Sequence, residues 1–251
     1  MSNTYRYEFL ISEGLEEEIN GNYDEAIKKY SDAIISIPYK TCGYYYRSFC
    51  FIDQLNYKSA IDDLNIAILL NPKSYFFIIE RGSAKLALKE YKSALSDFNE
   101  VIKLNPNNKD AYELRGITKE NLNDFEGAID DYGIAILLNP DDHYLFEKRA
   151  LVKEMSGEFH GAEKDLSLAI KIHPFKADLY FKRSDIRGLK LEDYTGAIND
   201  LNRGLELDPN INPICEDLYF KEAFRIYKEQ NKLLKKVATK RLSSTLDLNL
   251  S

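Results

Sequence analysis

Apolar positions along this chain fall at helical spacing in phrases that end on a proline. In ALSDFNEVIKLNP, Ala94 through Pro106, Leu95, Phe98, Val101 and Ile102 lie on one side of a 3.6-residue helix. The phrase returns as AIKKYSDAIISIP ending at Pro38, AIDDLNIAILLNP at Pro72, AIDDYGIAILLNP at Pro140, AEKDLSLAIKIHP at Pro174 and AINDLNRGLELDP at Pro209. The prolines step by 34 residues, with one step of 35, and a fixed period of that size marks an array of helical repeats. Proline has no N–H and disfavours helix in the residue before it, so each phrase predicts a helix that stops there.

A second helix is written before each phrase. It carries an aromatic or Ile residue, then Arg, then a small residue: Tyr44-x-x-Arg47-Ser48, Ile78-x-x-Arg81-Gly82, Tyr112-x-x-Arg115-Gly116, Phe146-x-x-Arg149-Ala150 and Tyr180-x-x-Arg183-Ser184. A further aromatic follows near the turn (Tyr23, Tyr57, Tyr91, Phe125, Phe159, Tyr194), and three residues on comes Ala26, Ala60, Ala94, Ala128, Ala162 or Ala197. Small side chains on both helices let their axes approach closely, and a Leu at Ala94 or Ala128 would overpack at about 1–3 kcal/mol. The spacing from Tyr180 to Tyr194 is one longer than that from Phe146 to Phe159. This places an inserted residue in the turn around Gly188–Asp193, since turns accept insertions more readily than packed helices.

Six such units in register, from about Tyr7 to Asn210, resemble the tetratricopeptide repeat (TPR) family. The resemblance implies an all-α fold: a right-handed superhelical solenoid of six TPR-like antiparallel helix pairs with a C-terminal capping helix. It places the first helix of each pair on a concave groove that binds peptides or proteins. The expected organisation is an N-terminal cap at 1–6, repeats at 7–40, 41–74, 75–108, 109–142, 143–176 and 177–211, a capping helix at 212–241 and a disordered tail at 242–251. Ser2, Asn3 and Thr4 are suited to cap a helix running from about Tyr5 to Ile19. The capping helix would cover the last repeat's open face, and its basic end (Lys235, Lys236, Lys240, Arg241) suits a helix C-terminus.

Composition narrows the function classes. The formal net charge of −7 argues against a general affinity for nucleic acid. No apolar run approaches the ~18 residues of a membrane span, and the start MSNTYRYEFL has no apolar signal region, so the cytoplasm is the expected compartment; a monomer is expected as well. Cys42, Cys50 and Cys215 show no metal-binding spacing. His143, His160 and His173 read as surface or turn residues far apart in repeat register. With no G-x-S-x-G, phosphate-binding glycine loop or H-E-x-x-H, neither an enzyme nor a cofactor is expected.

The repeated arginines resemble a basic ladder, extended one turn on by Lys85, Lys119, Lys153 and Arg187. Each Arg repeat also has an Asp on its second helix (Asp63, Asp97, Asp131, Asp165, Asp200), and repeat one inverts both signs with Glu13 and Lys29. Paired inversion points to ion pairs between helices, and exposed pairs would contribute only ~0.2–1 kcal/mol each.

By resemblance, a stripe on the first helices faces the groove. Its candidate peptide-binding residues are Tyr45, Phe49, Phe76 and Ile79 in the early repeats, then Glu113, Glu120, Tyr144, Glu147, Glu154, Phe181 and Asp185. The Lys, Asn and Arg clamp with which family members grip chaperone C-terminal carboxylates is absent. The function expected is a non-enzymatic scaffold binding an amphipathic protein segment with a basic end. The alternatives are a self-assembling structural solenoid and a non-catalytic subunit of an enzyme complex.

Overall fold

The computed structural model describes residues 3–209, which hold α-helices and one π turn and, among these residues, no strand. The helices are α1 (Asn3–Ile19), α2 (Tyr23–Ser36), α3 (Thr41–Asp53), α4 (Tyr57–Leu70), α5 (Tyr75–Ala87), α6 (Tyr91–Leu104), α7 (Lys109–Asn121), α8 (Phe125–Leu138), α9 (His143–Met155), α10 (Phe159–Ile172), α11 (Ala177–Asp185) and α12 (Tyr194–Leu207). They form two compact units dividing after Pro140. In the first, α1 to α8 pack each against the next, and the first helices of neighbouring pairs also touch (α1 on α3, α5 on α7). In the second, α9 to α12 do the same, with the π turn against α10, α11 and α12. None of the described helices is long and apolar enough to cross a membrane. The expected capping helix, with Cys215 and its basic end, and the tail lie outside the described residues.

Each pair closes on a matched couple of side chains. The alanine series is fully buried, from Ala26 to Ala197, and four residues further on sit the buried Tyr30, Leu64, Phe98, Tyr132, Leu166 and Leu201. Opposite them is the small residue of the first helix. A Cβ on Gly14 would lie 2.4 Å from the Tyr30 ring, and one on Gly82 would lie 2.7 Å from that of Phe98. The two series compensate in volume: Gly14, Gly82 and Gly116 face aromatic residues, whereas Ser48, Ala150 and Ser184 share their register with Leu64, Leu166 and Leu201. Interiors this densely packed respond to a single methylene.

The first helices end alike, with one residue at positive φ: Gly21, Leu55, Lys89, Asn123, Gly157 and Glu192. The next residue's N–H bonds back five positions, as from Asn56 to Phe51 at 2.7 Å and from Glu90 to Lys85 at 2.9 Å. This is the Schellman closure, whose left-handed residue is usually Gly. The N-cap residues Asn22, Asn56, Glu90, Asp124, Glu158 and Asp193 then precede the second helices. The Asn56, Asp124 and Asp193 side chains accept a backbone N–H of the first turn, whereas Asn22 and the two Glu side chains do not.

Two expectations are corrected. Helix α1 starts at Asn3, so Asn3 and Thr4 lie within it rather than before it. The inserted residue of repeat six is taken up inside the helix, not in a loose turn: Ile186–Lys190 forms a π turn in which the Leu191 N–H bonds back five residues to the Ile186 carbonyl at 3.1 Å. The closing bond then runs six positions, from Asp193 to Arg187 at 2.8 Å. The wider π turn takes up the extra residue in the last turn of the first helix.

Candidate functional site

Charges on the first helices divide into those used by the fold and those left over. The guanidinium of each ladder arginine donates two hydrogen bonds to one aspartate, as in Arg115 Nε and Nη2 to Asp131 at 2.9 and 2.6 Å. The same fork joins Arg47 to Asp63, Arg81 to Asp97, Arg149 to Asp165 and Arg183 to Asp200. Lys29 and Glu13 meet at 2.7 Å with the signs reversed. These aspartates are only 1–4% exposed, so the pairs are not the exposed kind. From repeat three onward each aspartate also holds a second cation: Lys85, Lys119, Lys153 or Arg187. Among the described residues Asp63 pairs with Arg47 alone, since Phe51 stands where the second cation would be, and burial there lifts its carboxyl above its ordinary value despite that partner.

The remaining guanidinium nitrogen reaches the preceding pair. Arg47, Arg81, Arg115 and Arg183 donate through Nη1 to Ser31, Asn65, Asn99 and Ser167 at 2.7–2.9 Å; the residue in that register for Arg149 is Gly133. Each of these four arginines ties three helices together.

In the first unit, Tyr45 and Phe49 on α3 meet edge to face at 4.8 Å, and Tyr45 also reaches Phe77 on α5 at 5.0 Å. Tyr45 and Ile79 are partly buried against the apolar core. Phe76 is 55% exposed, resting on Tyr75 at 4.3 Å. Burial raises the Glu80 carboxyl, and burial with nearby Glu80 raises the Tyr45 phenol. On α7, Glu113 and Asp110 share the single ammonium of Lys109 at 3.1 and 3.2 Å, and Glu120 accepts the Tyr132 phenol at 3.1 Å.

In the second unit a cavity of about 320 Å³ opens between α9 and α11, floored by Leu151, Leu166 and Ile186 and edged by Tyr144, Lys148 and Glu154. Glu147 on its wall is bound by Lys176 at 2.8 Å and Lys182 at 2.5 Å. Burial alone would raise that carboxyl, and the two lysines outweigh it and hold it below its ordinary value. Phe181, Ile198 and Leu205 pack on Leu201, and Asp185 is half-buried on α11. The histidines require a correction: His143 and His173, distant in repeat register, have ring centroids 4.8 Å apart, because the start of α9 and the end of α10 meet in one repeat. Among the described residues, no three His, Cys, Asp or Glu side chains gather as a metal site. Cys42 is exposed, and burial pushes the Cys50 thiol up to about 12.

Repeated helix pairs stapled by buried ion pairs, with aromatic surface left on the first helices, define a helical-repeat scaffold. Two tetratricopeptide-repeat family models match the sequence, over residues 79–142 and 177–211. Over those residues the chain carries tetratricopeptide repeats. Solved structures similar to it include that of MamA (22% identity, TM-score 0.65, 69% of this chain and 94% of that one). Another is that of PilF from Pseudomonas aeruginosa (16%, 0.67, 90% and 100%). A third is YrrB, described as a TPR protein with an unusual peptide-binding site (16%, 0.61, 72% and 93%). At such identities the likeness concerns the fold. A search of curated proteins found no match.

Proposed function

We propose that this chain is a non-enzymatic scaffold that holds a segment of another protein against its first helices. In the first unit the segment is amphipathic: apolar where it meets Tyr45, Phe49, Phe76 and Ile79, and basic where it meets Asp110, Glu113 and Glu120, two of which share one lysine. Phe76 is the observation that carries the reading. A phenylalanine more than half exposed, resting on a tyrosine rather than on the core, contributes little to folding and offers a large apolar face to a partner. YrrB, which shares the fold and is described as having a peptide-binding site, supports peptide docking on such a scaffold.

The test begins with affinity purification of a partner from the native cell, followed by binding kinetics. Phe76→Ala should weaken binding about five- to thirtyfold, chiefly through faster dissociation. Tyr45→Ala is a poorer probe because Tyr45 also packs on the core. An unchanged dissociation rate in Phe76→Ala would remove the site from this wall.

A further inference from the structure

Resting on that reading, we propose that the cavity between α9 and α11 is a specificity pocket. It takes an extended protein segment whose apolar side chain lies between one acidic and one basic residue. The cavity, about 320 Å³, sits at the low end of the roughly 300–1,000 Å³ of ligand sites; that is room for one large side chain and its backbone, not for a larger compact ligand. Its floor of Leu151, Leu166 and Ile186 is apolar, and Leu151 is 43% exposed, so an apolar side chain entering it covers surface the fold leaves open.

The edge decides the neighbours. Glu147 and Lys182 already satisfy one another, so neither is free to read a partner. Lys148 and Glu154 are different: both line the cavity, and neither has an ion-pair partner among the described residues. Lys148 only leans over the Tyr144 ring at 5.3 Å. Six residues apart on α9, they stand about 9 Å apart along the helix axis at ~1.5 Å per residue. An extended chain covers about 3.3 Å per residue, so the matching segment carries an acidic residue near Lys148 and a basic one about three residues away near Glu154. It can run in either direction. This pocket is bipolar rather than acidic, and its preference differs from that of α7.

The π turn supplies an independent indication. Ile186, on the cavity floor, is its first residue. π turns are frequent at functional sites, and here one ends the first helix that closes the cavity.

Three fluorescein-labelled 12-residue peptides, each with a central Leu in a Ser/Ala background, test this against the full chain. One carries Glu and Lys on either side of the Leu, one two Lys and one two Glu; affinity is read by fluorescence anisotropy and location by amide NMR shifts. The mixed peptide should bind about two- to fivefold more tightly than either like-charged one, the range set by single half-exposed ion pairs. Lys148→Glu should transfer the preference to the two-Lys peptide, and Glu154→Lys to the two-Glu peptide. Unchanged preferences in these variants would overturn the proposal. If the shifts fall on α3 and α5 instead, this pocket is wrong and the scaffold reading stands. If no peptide shifts any first-helix amide, both fail.

Discussion

Exchanging the charges of a ladder pair should succeed in repeat two and fail in repeat four, for a reason visible only in three dimensions. Asp131 is 1% exposed and lies between Arg115 and Lys119, each within 3 Å. Removing it leaves two cations facing each other across a buried space, so Asp131→Ala should cost about 3–5 kcal/mol, the range for breaking buried ion pairs. Asp63→Ala should fall at the lower end of that range, because Arg47 is alone and keeps its 2.8 Å bond to Ser31. Arg47→Glu with Asp63→Lys reproduces the arrangement of Glu13 and Lys29, and Phe51 at the second position opposes neither sign. The double variant should recover more than half of the loss from Asp63→Lys alone. Arg115→Glu with Asp131→Lys places the new lysine against Lys119 and should recover little until Lys119→Glu is added. Repeat one has that third change already, with Glu17 in the register of Lys119.

Because solenoids unfold through nearest-neighbour units rather than as one body, hydrogen-exchange protection on α3–α4 and α7–α8 is the suitable readout, beside chemical denaturation. Double variants no more stable than the sum of the singles would refute the pairing. Full rescue in repeat four without Lys119→Glu would refute the claim that the second cation shares the carboxylate.

Three further outcomes follow from the packing and titration described above. Gly82→Ala brings a methyl to 2.7 Å from the Phe98 ring and should cost about 1–3 kcal/mol. Phe98→Leu should relieve much of that, as in the natural Ala150/Leu166 couple, and strict additivity in denaturation would refute it. Lys89, exposed at φ 62°, sits where an L side chain costs roughly 1–2 kcal/mol; allowing for glycine's greater unfolded entropy, Lys89→Gly should stabilise by about 0.5–1 kcal/mol, and a lower melting temperature would refute the strain. His143 is held below its ordinary 6.5 by burial, then by Lys176 and His173, against the opposing pull of Glu147 and Asp142. The unfolded chain therefore takes that proton more readily, so stability is full above about pH 6.5 and is lost as pH falls; His143→Gln should flatten the melting temperature of the second unit over that window, and an unchanged slope would refute it.

The sequence revealed most where a feature repeats. Helix pairs, the alanine row and the Arg–Asp ladder are each written several times at one spacing, and the sign reversal at Glu13 and Lys29 identified partners before any distance was known. Their depth was not legible, because a charge pattern is the same whether the carboxylate is 1% or 50% exposed. The left-handed residues at Leu55, Lys89 and Glu192 carry no glycine signal; the turn imposes a conformation their side chains disfavour. The π turn was visible only as a count of one extra residue, since its hydrogen bonds decide whether a loop or a helix absorbs it. His143 and His173 looked remote because they occupy opposite ends of one repeat, which the pairing of α9 with α10 brings together.

Much of the acidity on the first helices is already committed. Counted from sequence, Glu113, Glu120, Glu147 and Glu154 make a wall that repels carboxylates and attracts cations. In the structure Glu147 is held between two lysines, Glu113 shares Lys109 with Asp110, and Glu120 accepts a phenol. A carboxylate held by two lysines changes a partner's affinity only by breaking what it holds, so Glu147→Lys would disturb packing before it altered encounter, whereas Asp110 and Glu113 share one lysine and keep a net negative charge. Three first-helix charges with no ion-pair partner among the described residues, Glu80 in the first unit and Lys148 and Glu154 in the second, are available to a ligand without breaking a pair. Glu80 and Lys148 occupy the same register two repeats apart and differ in sign. The same helix position thus offers opposite charges in the two units, and a single uniformly basic ligand cannot suit both.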